Sequence, residues 1–241
     1  MQTIRIAMWS GPRNISTAMM RAWEARGDCA VVDEPFYAAY LATTGLNHPM
    51  HDEILAGQSQ DWAEVASDCA QRAGAPVIYQ KHMTQHMVPE APLDWMAHVR
   101  HAFLIRPPEE VAASFSAKMD HVTAEDLGFR RQAELFDLAF ERMGVRPPVV
   151  EARDVLENPE GMLRALCAAL EVPFAAAMLS WAPGRRESDG IWAAHWYGAV
   201  EQSTGFAAPR SPAKAPAHLS DMIAECEPFY QQLASHRLTA A

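Results

Sequence analysis

Ile4-Arg5-Ile6-Ala7-Met8-Trp9, then Ser10-Gly11-Pro12-Arg13-Asn14-Ile15-Ser16-Thr17, then Ala18-Met19-Met20-Arg21-Ala22-Trp23: this stretch decides the fold. The first part is apolar except for Arg5, as a buried parallel strand should be. The second is a tight polar turn with a glycine, a proline, a cation and two adjacent hydroxyls. The third reads as a helix that runs to Arg26 and closes at Gly27. Such a turn aims backbone N–H groups and the positive end of a helix at one point. It therefore proposes a phosphate or sulfate ester as ligand. The plainer alternative is an ordinary strand-to-helix turn with a capped helix. The turn is not the nucleoside-triphosphate loop G-x-x-x-x-G-K-[ST], because it has no Gly-Lys pair and carries Ile15 where flexibility is needed.

Outward from this unit, strands and helices alternate. Strands are predicted over Thr3–Trp9, Cys29–Asp33, Val77–Lys81, Ala102–Arg106 and Val149–Ala152. Helices are predicted over Asp61–Ala73, Pro108–Met119, Thr123–Met143, Asn158–Leu170 and Leu219–His236. Thr123-x-x-Asp126 resembles a capping box, and Pro228 must kink or split the last helix. Ser180–Pro216 has no clear period and is rich in Gly, Pro, Ser and Trp. Its tryptophans, Trp181, Trp192 and Trp196, argue for an ordered flap over a site. The expectation is a three-layer α/β/α fold in one domain over residues 1–241. A central, mostly parallel sheet is P-loop-like, and a C-terminal flap and helix follow.

The chain has 241 residues, 49% hydrophobic and 21% charged, which suits one sizeable core. Its formal net charge of −10 argues against nucleic acid as a partner. A net acid repels anions, so an anion site must be locally basic, here through Arg13 backed by Arg21. Cys29, Cys69, Cys167 and Cys226 form no C-x-x-C pair and read as free thiols of a reducing cytoplasm. No basic-then-apolar leader and no membrane span are read, so a cytoplasmic location without membrane contact is expected.

Pro12-Arg13-Asn14-Ile15-Ser16-Thr17 resembles the Pro-Lys-Ser-Gly-Thr-Thr loop of the sulfotransferases. Those enzymes transfer a sulfuryl group from 3′-phosphoadenosine-5′-phosphosulfate (PAPS). The resemblance implies that Gly11 to Thr17 hold the 5′-phosphate. It also implies that Arg13 replaces the family's lysine and neutralises the bridging oxygen, with a different pose because arginine is planar. Phe103-Leu104-Ile105-Arg106, with Ser114 eight residues on, is similar to the family's arginine–serine pair for the 3′-phosphate. An arginine at the carboxyl end of a strand suits that role, since open α/β sheets bind ligands there and a guanidinium grips phosphate bidentately. The bland reading pairs Arg106 with Glu109 or Glu110. Pro183-Gly184-Arg185-Arg186-Glu187-Ser188-Asp189-Gly190-Ile191-Trp192 looks like a scrambled form of the family's Arg-Lys-Gly-x-x-Gly-Asp-Trp-Lys region. From it only Arg185 and Arg186 carry over as cofactor-binding candidates.

Transfer to a hydroxyl needs a proton acceptor. Val77-Ile78-Tyr79-Gln80-Lys81-His82 resembles the strand that ends in Lys-Thr-His in many sulfotransferases. By that resemblance His82 is a base and Lys81 a stabiliser of the sulfonate. Neighbours on a strand point to opposite faces, so the two do not serve one site equally. Val31-Val32-Asp33-Glu34-Pro35-Phe36 offers a rival base in Glu34, which could instead hold Arg13 or cap the helix after Pro35. Phe36, Tyr37 and Tyr40 suggest an apolar wall for the acceptor. His82 and His86 have H-x-x-x-H spacing but lack the glutamate and helix of a zinc peptidase, so no metal is expected. His48, His51, His98, His101 and His195 read as surface or flap residues. The layout is similar to a divergent sulfotransferase branch carrying Ser-Gly-Pro-Arg-Asn-x-Ser-Thr and Asp-Glu-Pro, whose members are sometimes labelled aminotransferase-like. The activity implied is sulfuryl transfer from PAPS to a small-molecule hydroxyl. A kinase with a degenerate loop, a non-catalytic adenylate- or phosphate-binding module, and a homodimer stay open.

Overall fold

The computed structural model describes residues 3–117, 121–209, 211 and 214–240. The strands are β1 (Ile4–Ser10), β2 (Cys29–Asp33), β3 (Val77–Met83), β4 (Arg100–Ile105) and β5 (Val149–Glu151). Between β1 and β3 lie helices α1 (Ser16–Glu24), α2 (Tyr37–Thr44), α3 (His51–Gly57) and α4 (Trp62–Gln71). Then come α5 (Pro108–Ser116), α6 (Ala124–Leu127) and α7 (Phe129–Met143). After β5 follow α8 (Ala152–Glu157), α9 (Pro159–Ala169), α10 (Ala193–Trp196), α11 (Gly198–Glu201) and α12 (Ser220–Ala234). Among these residues no helix is long and apolar enough to cross a membrane.

The strands form one parallel sheet in the order β2-β3-β1-β4-β5, with β1 at its centre. This is the α/β architecture expected from the alternating pattern. The first crossover leaves β1 toward β2, and a later one passes from β3 to β4 across β1. Where connections part in this way, the carboxyl ends of the central strands border a crevice.

Strand alternation divides the core into two layers. Ile6 and Met8 of β1 face the layer that holds Met20, Trp23, Tyr79 and Leu163. Ala7 and Trp9 face the other, with Phe36, Trp95, Phe103 and Phe136. The register sets Met8 beside Lys81 and Trp9 beside His82. Lys81 and His82 therefore belong to opposite faces, as the period-two rule requires.

Several expected elements change at their ends. The Thr123–Met143 helix is broken at Gly128, whose φ of 71° ends α6 and opens α7. The capping box on Thr123 and Asp126 is present. A side chain at Gly128 would meet Thr84 Oγ1 at 2.7 Å, so close packing on the end of β3 requires this glycine. Helix α5 ends at Ser116, and the predicted end at Met119 lies outside the described residues. The last helix is not split: α12 runs through Pro228, with Cys226, Tyr230 and Leu233 buried on either side of it.

The segment after Ser180 is packed onto the domain by a buried ion pair. Arg21 of α1 meets Asp189 through Nη1–Oδ1 at 2.6 Å and Nη2–Oδ2 at 2.6 Å, and neither side chain reaches solvent. Arg21 is thus a tether for the flap and does not serve the anion loop. Removing one partner of such a pair leaves a bare buried charge. Asp189→Ala should lower the unfolding free energy in urea by about 3–5 kcal/mol. The double variant Arg21→Met/Asp189→Leu should recover most of that loss. Equal destabilisation of the single and the double variant would show that the ion pair is not the tether.

Candidate active site

A cavity of about 530 Å³ opens at the carboxyl ends of β1, β3 and β4. Its floor is the turn after β1. Asn14 accepts a hydrogen bond from the Ile15 amide at Oδ1 (3.0 Å) and donates from Nδ2 to the Leu104 carbonyl (3.1 Å). These bonds pin the turn to β4. Gly11 packs so closely that an added Cβ would lie 2.7 Å from the Leu127 carbonyl oxygen. Helix α1 then starts without a side-chain cap, contrary to the capped-turn alternative. Its first amides have no intrahelical partner by construction, and Ser16, Thr17 and Ala18 line the cavity.

Two guanidiniums flank this floor. Arg13 has a left-handed φ of 55° and donates from Nε to Ser114 Oγ at 3.0 Å. Arg106 donates from Nη1 to the Arg13 carbonyl at 2.8 Å and from Nε to Glu110 at 3.0 Å. Burial, and then the neighbouring Arg106 charge, hold the Arg13 pKa below its ordinary value. Both cations, Ser114 and Glu110 line the cavity. The loop and the Arg106/Ser114 pair, found separately in the sequence, thus meet in one site. The Glu110 pairing of the bland reading is also present.

At the other end stands a buried polar cluster. Lys81 Nζ donates to Asp33 Oδ1 (2.9 Å), to the Tyr197 hydroxyl (2.6 Å) and to Glu34 Oε1. Tyr197 donates in turn to Asp33 Oδ2 at 2.7 Å and accepts from Trp192 Nε1 at 3.1 Å. The Gly190 amide adds a bond to Asp33 Oδ2 at 3.0 Å. Burial alone would lower the Lys81 pKa, but Asp33, Glu34 and Tyr197 carry it well above the ordinary lysine value. Burial pushes the Glu34 carboxyl up; Lys81 pulls against this and Asp33 adds to it. An ammonium has three donors, and all three are committed here. Lys81 therefore grips Glu34 and has no proton left for a sulfonate, which corrects the role first given to it. The Glu34 side chain holds neither Arg13 nor an amide of α2; only its carbonyl accepts from the Tyr37 amide, at 3.1 Å.

His86 was set aside in the sequence, yet it lines the cavity. Its ring is stacked between Tyr37 (4.3 Å) and Tyr40 (4.8 Å), and its buried Nδ1 has no hydrogen-bond partner among the described residues. That nitrogen stands 3.9 Å from Glu34 Oε2. Burial, and then the charges nearby, hold His86 well below its ordinary pKa and so neutral. His48, expected at the surface, also lines the cavity and meets the Tyr37 hydroxyl at 2.9 Å. Tyr37 is part of the wall, whereas Phe36 turns to the other core layer.

His82 does not border the cavity. It stacks on Trp9 at 4.6 Å, touches Phe36 and Trp95, and donates from Nε2 to Gln80 Oε1 at 3.0 Å. The Gln80 amide is anchored in turn to the Cys69 carbonyl at 2.7 Å. His101 is likewise internal, accepting from Trp9 Nε1 at 3.0 Å. The flap arginines also miss the site. Arg186 bonds the Ala182 carbonyl and faces Glu24 at 3.5 Å, and Arg185 is exposed; neither lines the cavity. The flap covers the cavity with Trp196, Tyr197, Val200 and Ser203 instead. Tyr197 carried no signal in the sequence beyond lying among aromatics in an aperiodic segment.

The profile of the family described as "Sulfotransferase domain" matches residues 4–237 of the chain. Branched-chain-amino-acid aminotransferase-like proteins 2 and 1 of Arabidopsis thaliana are 35% and 36% identical to it over 234 residues, 96% of this chain. The chain spans only 41% and 42% of their length. Among solved structures, the sulfotransferase domain from the curacin biosynthetic pathway superposes with a TM-score of 0.53 at 15% identity, covering 99% of both chains. A sulfotransferase from Alicyclobacillus acidocaldarius gives a TM-score of 0.56 at 11% identity, covering 99% of this chain and 98% of that one. At these identities the likeness to the solved structures is one of fold.

Burial lowers the pKa of His82 to about 3 and that of His101 to about 4, from an ordinary 6.5. Both rings are neutral when folded and take up a proton on unfolding below that ordinary value. Their contribution to stability is therefore lost as pH falls from 6.5 toward the folded values. His82→Gln should remove about one proton from the slope of unfolding free energy against pH between about pH 4 and 6, or ~1.4 kcal/mol per unit. Urea titrations across that range test this, and an unchanged slope would contradict the buried neutral ring.

Proposed function

The chain belongs to the sulfotransferase domain family, and from that premise we propose that it moves a sulfuryl group from PAPS to the hydroxyl of a small-molecule acceptor. The observation that carries this reading is the single cavity that gathers five features. These are the uncapped amides of α1, Arg13, Arg106 with Ser114, the Glu34–Lys81 pair and an aromatic wall. Two guanidiniums held this close repel each other, and a bound multivalent anion relieves that repulsion. The floor fits a 5′-phosphate at the amides of α1 with Ser16 and Thr17. Arg106 and Ser114 fit a second phosphate.

When bound, PAPS supplies the activated sulfur. Arg13, between the two phosphate subsites, offers its remaining N–H groups to the bridging oxygen and counters the charge that grows there as the sulfur–oxygen bond breaks. Glu34 takes the proton of the acceptor hydroxyl as the new sulfur–oxygen bond forms, leaving a sulfate ester and 3′-phosphoadenosine-5′-phosphate. Its raised pKa makes it a stronger base than an exposed carboxylate, and Lys81 fixes its direction. Tyr37, His86 and Trp196 form the wall against which an acceptor would lie.

Calorimetry with 3′-phosphoadenosine-5′-phosphate should show much tighter binding than with ATP. Arg106→Ala should weaken the former by about ten- to a hundred-fold. ATP binding as tight as the bisphosphate would overturn the donor assignment. Glu34→Gln should leave bisphosphate affinity within about threefold, yet slow its formation from PAPS by about 10²–10⁴-fold across a panel of hydroxyl acceptors. A variant that keeps the wild-type rate would remove Glu34 as the base.

A further inference from the structure

Of the cations the sequence offers for a second phosphate, only Arg106 lines the cavity. Arg185 and Arg186 do not reach the cavity, and Arg186 is occupied by the Ala182 carbonyl and Glu24. Arg106 has already given Nε to Glu110 and Nη1 to the Arg13 carbonyl. The same cavity is also lined by Arg153, near the start of α8, beside Ala152 and Leu156. Arg153 had no signal in the sequence and matches no family motif quoted for the site.

Three observations bear on Arg153. Its side chain is 38% exposed and lines the cavity that holds Arg106 and Ser114. Its nearest acidic contacts are Glu157 at 3.5 Å and Glu110 at 3.6 Å, too long for good hydrogen bonds, so its donors remain available. Glu110 divides its two oxygens, one to Arg106 and the other toward Arg153. A half-buried carboxylate placed in this way holds the two guanidiniums near one another, one at each of its oxygens. Glu110 is 14% exposed, so the spacing it sets is not that of a freely moving surface pair.

The geometry points to Arg153 as the second cation for the 3′-phosphate, gripping it together with Arg106 and giving the site its preference for a 3′,5′-bisphosphorylated adenosine over a 5′-monophosphate. This rests on the donor proposed above. The recognition is charge-assisted and planar, as a guanidinium facing a phosphate allows. The cation sought in the flap comes instead from the end of β5, the edge strand beside β4.

The test is a ligand comparison by calorimetry, which needs no acceptor. Wild type, Arg153→Gln and Arg153→Lys are each titrated with 3′-phosphoadenosine-5′-phosphate and with adenosine-5′-phosphate. Arg153→Gln should weaken the bisphosphate by about ten- to a hundred-fold and the monophosphate by less than about twofold. Arg153→Lys, which keeps the charge and loses the planar fork, should fall between Gln and wild type for the bisphosphate. An equal loss for both ligands would place Arg153 elsewhere on the nucleotide and overturn the assignment, as would no loss for either. A wild type that fails to prefer the bisphosphate would sink the donor reading itself, whatever the variants do. Thermal melts of each variant without ligand confirm that only the binding step is compared.

Discussion

A lysine ammonium buried at the end of β3 is the constraint around which the rest is arranged. A charge at such depth costs several kcal/mol unless it is paired and fully hydrogen-bonded. Lys81 meets that demand with two carboxylates from the end of β2 and one hydroxyl from the flap. Each partner is thereby fixed. Asp33 is further held by the Gly190 amide and Tyr197, so the flap is joined to the sheet through the same cluster. Of the cluster's two carboxylates, Glu34 is the one that lines the cavity. The polar network thus sets the direction of a carboxylate and the position of a cover in a single arrangement, and a half-satisfied version of it would be worse than an apolar core.

The cavity also has an electrical design that the whole-chain charge conceals. A net charge of −10 repels anions at a distance, yet Arg13, Arg106 and Arg153 converge on one wall. Surface charges separated by more than a Debye length are screened, so the local cations govern a bound anion. The Glu34 end is carboxylate-rich and its charge is contained by Lys81. The cavity is therefore polarised, with its arginines toward β4 and β5 and the Glu34 carboxylate toward β2. On the proposed reading, an acceptor hydroxyl between the two ends has the sulfur on one side and the Glu34 carboxylate within reach of its proton on the other.

Much of this was legible in the sequence, and the reason is local. The strand–turn–helix at the start and the arginine–serine spacing are short-range patterns, and both sit where parallel sheets bind ligands. The helix end at Gly144 follows from glycine's access to positive φ, whereas the break at Gly128, inside what reads as one helix, shows only through its packing against Thr84. What sequence alone left undecided was facing. Lys81 and His82 are adjacent, and only the register of β3 against β1 tells which one shares a face with α1 and the flap. Ala7 and Trp9 on one face of β1 could have hinted that His82 sits among aromatics, but that needs the strand pairing. Tyr197 was invisible because it meets Asp33 and Lys81 across more than a hundred residues of chain, and Arg153 because its neighbour Glu110 lies on a different helix, with no local pattern to announce either. The flap arginines misled for the converse reason: their composition fits a phosphate, while Asp189 and Glu24 turn the segment so that its tyrosine, not its guanidiniums, faces inward.

The backbone adds one more line of reasoning about where function lies. Arg13 and Glu34 both adopt left-handed φ, 55° and 43°, where residues other than glycine are uncommon. Such conformations cost about 1–3 kcal/mol each and persist only when their surroundings over-determine them. At Arg13 the surroundings are Arg106 on its carbonyl and Ser114 on its Nε. At Glu34 they are the amide bond to the Lys81 carbonyl at 2.9 Å and the side-chain grip of the same lysine. A glycine or asparagine in either place would relieve the strain, so folding stability alone does not explain the residues found there. What arginine and glutamate add is a guanidinium at one end of the cavity and a carboxylate at the other. Met50 and Glu171 share such φ without lining the cavity, whereas at Arg13 and Glu34 the strained turn brings a side chain into the space between α1, the sheet and the flap.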